Sequence, residues 1–152
     1  MMIHTTRNHA RIFYQVMAEL GAAIDTDMFD IGSADFAVET SDGVRYPDVF
    51  IDRRIPEAKG TDLAARHPVL LVEVLSPSSY ARDFGEKVED YKALPTLQHY
   101  LILAQNEPRA WLWTQIGGTW EGPQMIVGLD EKLELTGLGA QLSMASLYRG
   151  TA

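Results

Sequence analysis

The chain has 152 residues, 46% hydrophobic and 22% charged, with 13 Lys plus Arg against 21 Asp plus Glu for a formal net charge of −8. This length and balance suit one globular domain over residues 1–152 with a sizeable core, and exclude disorder, collagen and a simple coiled coil. The acidic balance repels phosphate on average, which disfavours non-specific attraction to nucleic acid or anionic membrane without excluding a locally basic cleft. With no cysteine, disulfides, thiolate nucleophiles and Cys-ligated zinc are excluded, so any metal must be held by carboxylates, His or carbonyls.

The first segment, RNHARIFYQVMAEL, places Ile12, Phe13, Val16, Met17 and Leu20 on one face of a helix. Thr5 or Thr6 caps its start and Gly21 is a natural stop. Between residues 27 and 52 the period changes to that of strands. Phe36 and Val38 precede a turn at Ser41-Asp42-Gly43, and Val44, Tyr46 and Val49-Phe50-Ile51 follow it, a hairpin pattern. Residues 53–68 read as a loop with at most one helical turn.

The run VLLVEVL, residues 69–75, reads as a strand buried on both faces. It is also the longest apolar stretch, far short of the ~18 residues of a membrane span. Since MMIHTTRNHARIFYQV has no apolar signal core, a cytoplasmic protein without membrane attachment is expected. Ser78 or Ser79 then precedes YARDFGEKVEDYKAL, with Phe84, Val88 and Tyr91 at helical spacing and Pro95 as the stop. HYLILA is a second buried strand, and RAWLWTQIGGTWEG reads as two strands about a Gly-Gly turn. A short strand at 133–135 and a helical turn in SMASLY complete a mixed α/β chain, a central sheet flanked by helices.

Three features put charge where apolar residues belong. Asp48 follows Pro47 where a strand enters the core; for a lone dipeptide, a solvated turn-to-strand junction is the favoured explanation. Glu73 sits inside VLLVEVL, and a buried carboxylate costs several kcal/mol unless paired, metal-bound or protonated. An outward-facing Glu73 is the alternative, but Leu71 and Leu75 share its face and are apolar. Asp83, Lys87 and Tyr91 recur at i, i+4 and i+8 along one helix stripe, which is either a surface ion pair or a way to bring an ammonium beside the two carboxylates. Two carboxylates on adjacent strands plus a lysine is the equipment of metal-dependent phosphodiester hydrolysis. Strands 46–51 and 69–75 are therefore expected side by side, with Asp48 and Glu73 on one face. Removing either carboxylate is expected to relieve like-charge repulsion in the metal-free protein.

The PD dipeptide, EVLSPSS (73–79), RDFGEK (82–87) with Tyr91, and the HYLILA strand together resemble the Uma-type restriction endonucleases of the PD-(D/E)XK nuclease superfamily. The resemblance implies a restriction-endonuclease-like fold and Mg²⁺- or Mn²⁺-dependent cleavage of DNA. It implies Asp48 and Glu73 as metal ligands and Lys87 as the migrated catalytic lysine, since Leu75 stands two residues after Glu73. His9 resembles the His that opens the family's first helix. Glu19 is the nearest stand-in for an acidic residue that relatives often carry before that helix, and LILAQ ends where they often have an Asp. Two further functions stay open: a catalytically inactive, nuclease-derived assembly protein working as a homodimer, and a hydrolase of a small phosphate ester. A homodimer also suits two-strand cleavage. His4, His67 and His99 lack metal-ligand spacing, which suggests surface or strand-edge roles. Trp111, Trp113 and Trp120 suggest core or dimer contacts rather than base stacking.

Overall fold

Helix α1 (Arg7–Ala23) starts where Thr6, in extended conformation, accepts the His9 backbone N–H on its side chain. In the computed structural model, which describes residues 5–75 and 84–151, this helix buries Ile12, Val16 and Leu20. Gly21 does not stop it. The helix runs on to Ala23 and ends where the Ile24 N–H bonds to the Leu20 carbonyl.

Six strands form the main sheet: β1 (Phe29–Ser33), β4 (Val49–Arg53), β6 (Pro68–Val74), β7 (His99–Leu103), β8 (Arg109–Ile116) and β9 (Thr119–Val127), hydrogen-bonded in that order. All neighbours are antiparallel except β6 and β7. The hairpin β2 (Ala37–Thr40) and β3 (Gly43–Arg45) forms about the expected turn, but it joins β5 (Ala64–Ala65) in a separate small sheet. No helical turn interrupts residues 53–68. Gly117 and Gly118 both carry positive φ in the β8–β9 turn, which suits glycine there. At the end of the chain, β10 (Lys132–Leu135) pairs with β11 (Ala140–Ser143), and helix α3 (Met144–Leu147) follows.

Every residue of β6 and β7 is buried. One face of the sheet (Val49, Ile51, Val72, Leu101, Leu112) packs on α1 and the β10–β11–α3 tail. The other (Phe50, Leu71, Tyr100, Ile102, Trp113) packs on helix α2 (Glu86–Lys92) through Val88 and Tyr91, with Val38 and Ala65 of the small sheet. Three α-helices are present among the described residues, and none is long and apolar enough to cross a membrane.

Gly32 faces Phe50 across the β1–β4 pair. A Cβ at Gly32 would lie 2.0 Å from the Phe50 ring, which is itself buried. Gly32→Ala should therefore destabilise the fold by ~1–3 kcal/mol through overpacking. Urea unfolding checks this: the loss should shrink in a Gly32→Ala/Phe50→Leu double variant and would not if the cost lay in the backbone of β1.

Candidate active site

Pro47, which lacks an N–H, stands just ahead of the β4 ladder, and Asp48 follows it at the mouth of the strand. β4 and β6 pair with Val49 opposite Val72, so Asp48 lies level with Glu73. The Asp48 carboxylate turns toward the ladder: its Oδ2 accepts the Val74 backbone N–H at 2.7 Å. The same oxygen is 3.5 Å from His9 Nε2 on α1. Asp48 is thereby fixed to the residue immediately after Glu73, and the first helix is brought to the same point.

Glu73 shares the face of Leu71 and is only 4% exposed. Burial of this kind requires compensation, which α2 supplies. Lys87 Nζ lies 3.3 Å from Glu73 Oε1, and the Tyr91 hydroxyl, one turn further on, donates to the same oxygen at 3.3 Å. The i, i+4 spacing that aligns the two side chains on the helix explains why they converge on one carboxylate. Lys87, at 16% side-chain exposure, is drawn into the cleft rather than left in solvent. Two links hold α2 in register: an Arg45–Asp90 ion pair from β3, and an aromatic run in which Tyr91 meets Tyr100 edge-on and Tyr100 stacks on Trp113. The tryptophan side chains thus serve packing: Phe84 meets Trp111 edge-on, and Trp120 Nε1 donates to the Lys92 carbonyl.

Residues 1–145 match the model of the Uma2 family, described as "Putative restriction endonuclease". The chain belongs to this family. Two relatives from Synechocystis sp., both named as uncharacterized proteins, are each 28% identical. The match to slr1290 spans 151 residues, 97% of this chain and 77% of that protein; that to sll1609 spans 124 residues, 73% and 70%. The crystal structure of a putative nuclease belonging to DUF820 from Anabaena variabilis superposes with a TM-score of 0.77 at 14% identity, covering 96% of this chain and 83% of that one. This Uma2 chain therefore has the nuclease-like mixed α/β fold that its motifs imply.

The structure brings His9 to Asp48, and Lys87 and Tyr91 to Glu73, on neighbouring strands that the Asp48–Val74 hydrogen bond joins. Asp83, like His4 and Ser78 or Ser79, falls outside the described residues. Glu19 lies ten residues beyond His9 on α1, about 15 Å along the helix axis, and so stands away from Asp48. The ion pair adds a term to the repulsion argument: removing Glu73 also takes an acceptor from Lys87 and Tyr91, which costs stability.

His99 is neither at the surface nor at an edge; it is 0% exposed. The β10–β11 tail, which the local sequence around HYLILA does not announce, covers it. Gln105 is another buried polar residue that the strand pattern passes over. A separate groove of about 710 Å³ lies at the far end of β4, lined by Asp30, Asp52, Lys59 and His67 among others. Burial pushes the Asp52 carboxyl up, opposed by the His67 backbone N–H that it accepts. Asp30 is already paired with Arg54, and the groove sits at the opposite end of β4 from Asp48.

Proposed function

We propose that the chain is a Mg²⁺- or Mn²⁺-dependent endonuclease acting on DNA, with Asp48 and Glu73 as metal ligands and Lys87 as the catalytic cation. The main support is the meeting of a buried strand carboxylate and a helix ammonium, 3.3 Å apart, beside a second carboxylate tied to the next residue of the strand. The donors are hard oxygens. Among the described residues no group of three or more His, Cys, Asp or Glu is placed to hold a metal. Two carboxylate donors suit Mg²⁺, which keeps several waters and takes one or two carboxylates plus substrate phosphates. Such a cation would polarise the phosphoryl oxygen and lower the pKa of a bound water.

The residues of the chain itself divide the remaining work. The Val74 N–H holds Asp48 in place, and the Tyr91 hydroxyl does the same for Glu73. Lys87 supplies a positive charge beside the carboxylates, where negative charge grows on the phosphoryl group in the transition state.

Calorimetric titration with Mn²⁺ tests the metal assignment. Asp48→Asn and Glu73→Gln, which keep side-chain shape, should each weaken binding by tenfold or more with the fold retained on circular dichroism. Unchanged affinity in both variants would put the metal elsewhere. The competing reading, a catalytically inactive homodimeric assembly protein, draws on the net charge of −8 and on Ile116, Met125 and Val127, each more than half exposed along the β8–β9 edge. It predicts that the wild-type protein neither binds Mn²⁺ nor cuts DNA.

A further inference from the structure

Gln105 follows β7 and is 6% exposed, yet every polar group of its side chain is engaged. Its Nε2 donates to the Leu75 carbonyl at 3.1 Å, at the exit of the strand that carries Glu73. Its Oε1 accepts from the Thr6 hydroxyl, and its backbone carbonyl accepts from Asn8 Nδ2 at 3.3 Å. The chemistry fixes the amide orientation. A carbonyl can only accept, so the amino group must face Leu75 and the oxygen must face Thr6.

The Thr6 hydroxyl therefore points its proton at Gln105 and is left to accept the His9 N–H at 3.1 Å as the cap of α1. The connection then runs onward to Asp48 through His9 Nε2. Gln105 thus bridges two parts of the site: the start of α1 with His9, and the end of β6, where Val74 anchors Asp48.

We propose that Gln105 is a positioning residue that holds His9 on Asp48 by tying the α1 cap to the end of β6. Its consequence for cleavage rests on the nuclease reading, whereas its effect on His9 does not. Two variants separate these. Gln105→Met is close in shape and makes none of the side-chain bonds. Gln105→Glu keeps the acceptor for Thr6 but sets an oxygen against the Leu75 carbonyl.

The direct readout is the imidazole ¹⁵N resonances at pH 7.5, assigned through single histidine variants. In Gln105→Met the His9 resonances should move toward those of an Asp48→Asn variant, while His67 and His99 stay in place. Gln105→Glu should lie between Gln105→Met and wild type. Unmoved His9 resonances in both variants, or equal movement of all three rings, would overturn the proposal.

The second readout is cleavage of plasmid DNA with Mg²⁺. Gln105→Met should lower kcat on the order of tenfold with KM nearly unchanged, and should add no further loss in a His9→Ala background. Independent losses in the double variant would also overturn the proposal. If the wild type neither binds Mn²⁺ nor cleaves, the nuclease reading fails, and the His9 resonances alone decide the role of Gln105. If Gln105→Met does not fold, Gln105→Glu carries both readouts, and a His9 signal and kcat equal to wild type in it count against the proposal.

Discussion

Lys87→Met should lower the kcat for Mg²⁺-dependent DNA cleavage by about 10²–10³ while Mn²⁺ affinity stays within a few-fold of wild type. The split follows from what the ammonium touches. Lys87 lies against Glu73 Oε1 rather than in solvent, so in the resting protein it balances a buried charge. In the proposed reaction its larger contribution would come when negative charge builds on the phosphoryl group, and interactions stronger in the transition state than in the ground state are the ones that raise kcat. Were Lys87 only a counter-ion, its loss would free Glu73 for metal, so Mn²⁺ would bind more tightly and turnover would change little. Met preserves the aliphatic stem, and the hydrogen bond from Tyr91 helps to keep Glu73 oriented. Single-turnover cleavage at saturating Mg²⁺, beside Mn²⁺ titration of the same preparation, separates the two outcomes.

Acid should destabilise the protein through His99. Its Nε2 accepts the Gly137 N–H at 2.9 Å, so the ring proton sits on Nδ1 and faces the Thr114 hydroxyl at 3.2 Å. This clamps the turn between β10 and β11 onto the start of β7. Protonation would set two N–H groups against each other and bury a charge, and burial accordingly lowers the His99 pKa from 6.5 to about 4. The folded state thus binds the proton less readily than the unfolded chain. The stabilisation from the neutral ring is complete above pH 6.5 and is lost as pH falls from 6.5 toward 4, a change of about 3 kcal/mol. Asp52, whose carboxyl is raised, contributes in the opposite sense. For that reason the informative quantity is the difference between wild type and His99→Leu in urea unfolding at pH 7.5, 5.5 and 4.5. That difference should shrink by most of this amount across the range, and a constant gap would show that His99 is not the titrating group.

How legible these features were depends on how local their causes are. Glu73 stood out because a charge interrupted an apolar run, and Lys87 and Tyr91 because helical spacing put them on one stripe; in both cases the signal lies within a few residues. The β8–β9 hairpin was readable in the same way from its Gly-Gly turn. His99 was misread because the residues that bury it arrive far later in the chain, so a polar residue opening a strand looked like an edge. Gln105 showed in the sequence only as the end of LILAQ, where relatives often have an Asp, because its partners Thr6 and Leu75 lie far away in sequence. Gly21 misled in the other direction: the helix runs on through exposed Ala22 and Ala23 to the buried Ile24, whose N–H on the Leu20 carbonyl ends it. The strand β11 was missed because AQLS offers only a weak alternation, and its pairing with β10 is what makes it a strand.

The parallel seam between β6 and β7 also sets an order of assembly. Strands β1, β4 and β6 pair antiparallel on one side of it, and β7, β8 and β9 do so on the other. The seam itself closes only after the chain has left the sheet at Val74 and returned at His99, and longer closures carry more entropy and form more slowly. Asp48 and Glu73 belong to the first half, Gln105 to the second, and Lys87 and Tyr91 to the segment that crosses between them. A chain still emerging from the ribosome therefore holds the carboxylates without the ammonium that faces them. Gln105 can therefore meet Thr6 and Leu75 only once the two halves have docked.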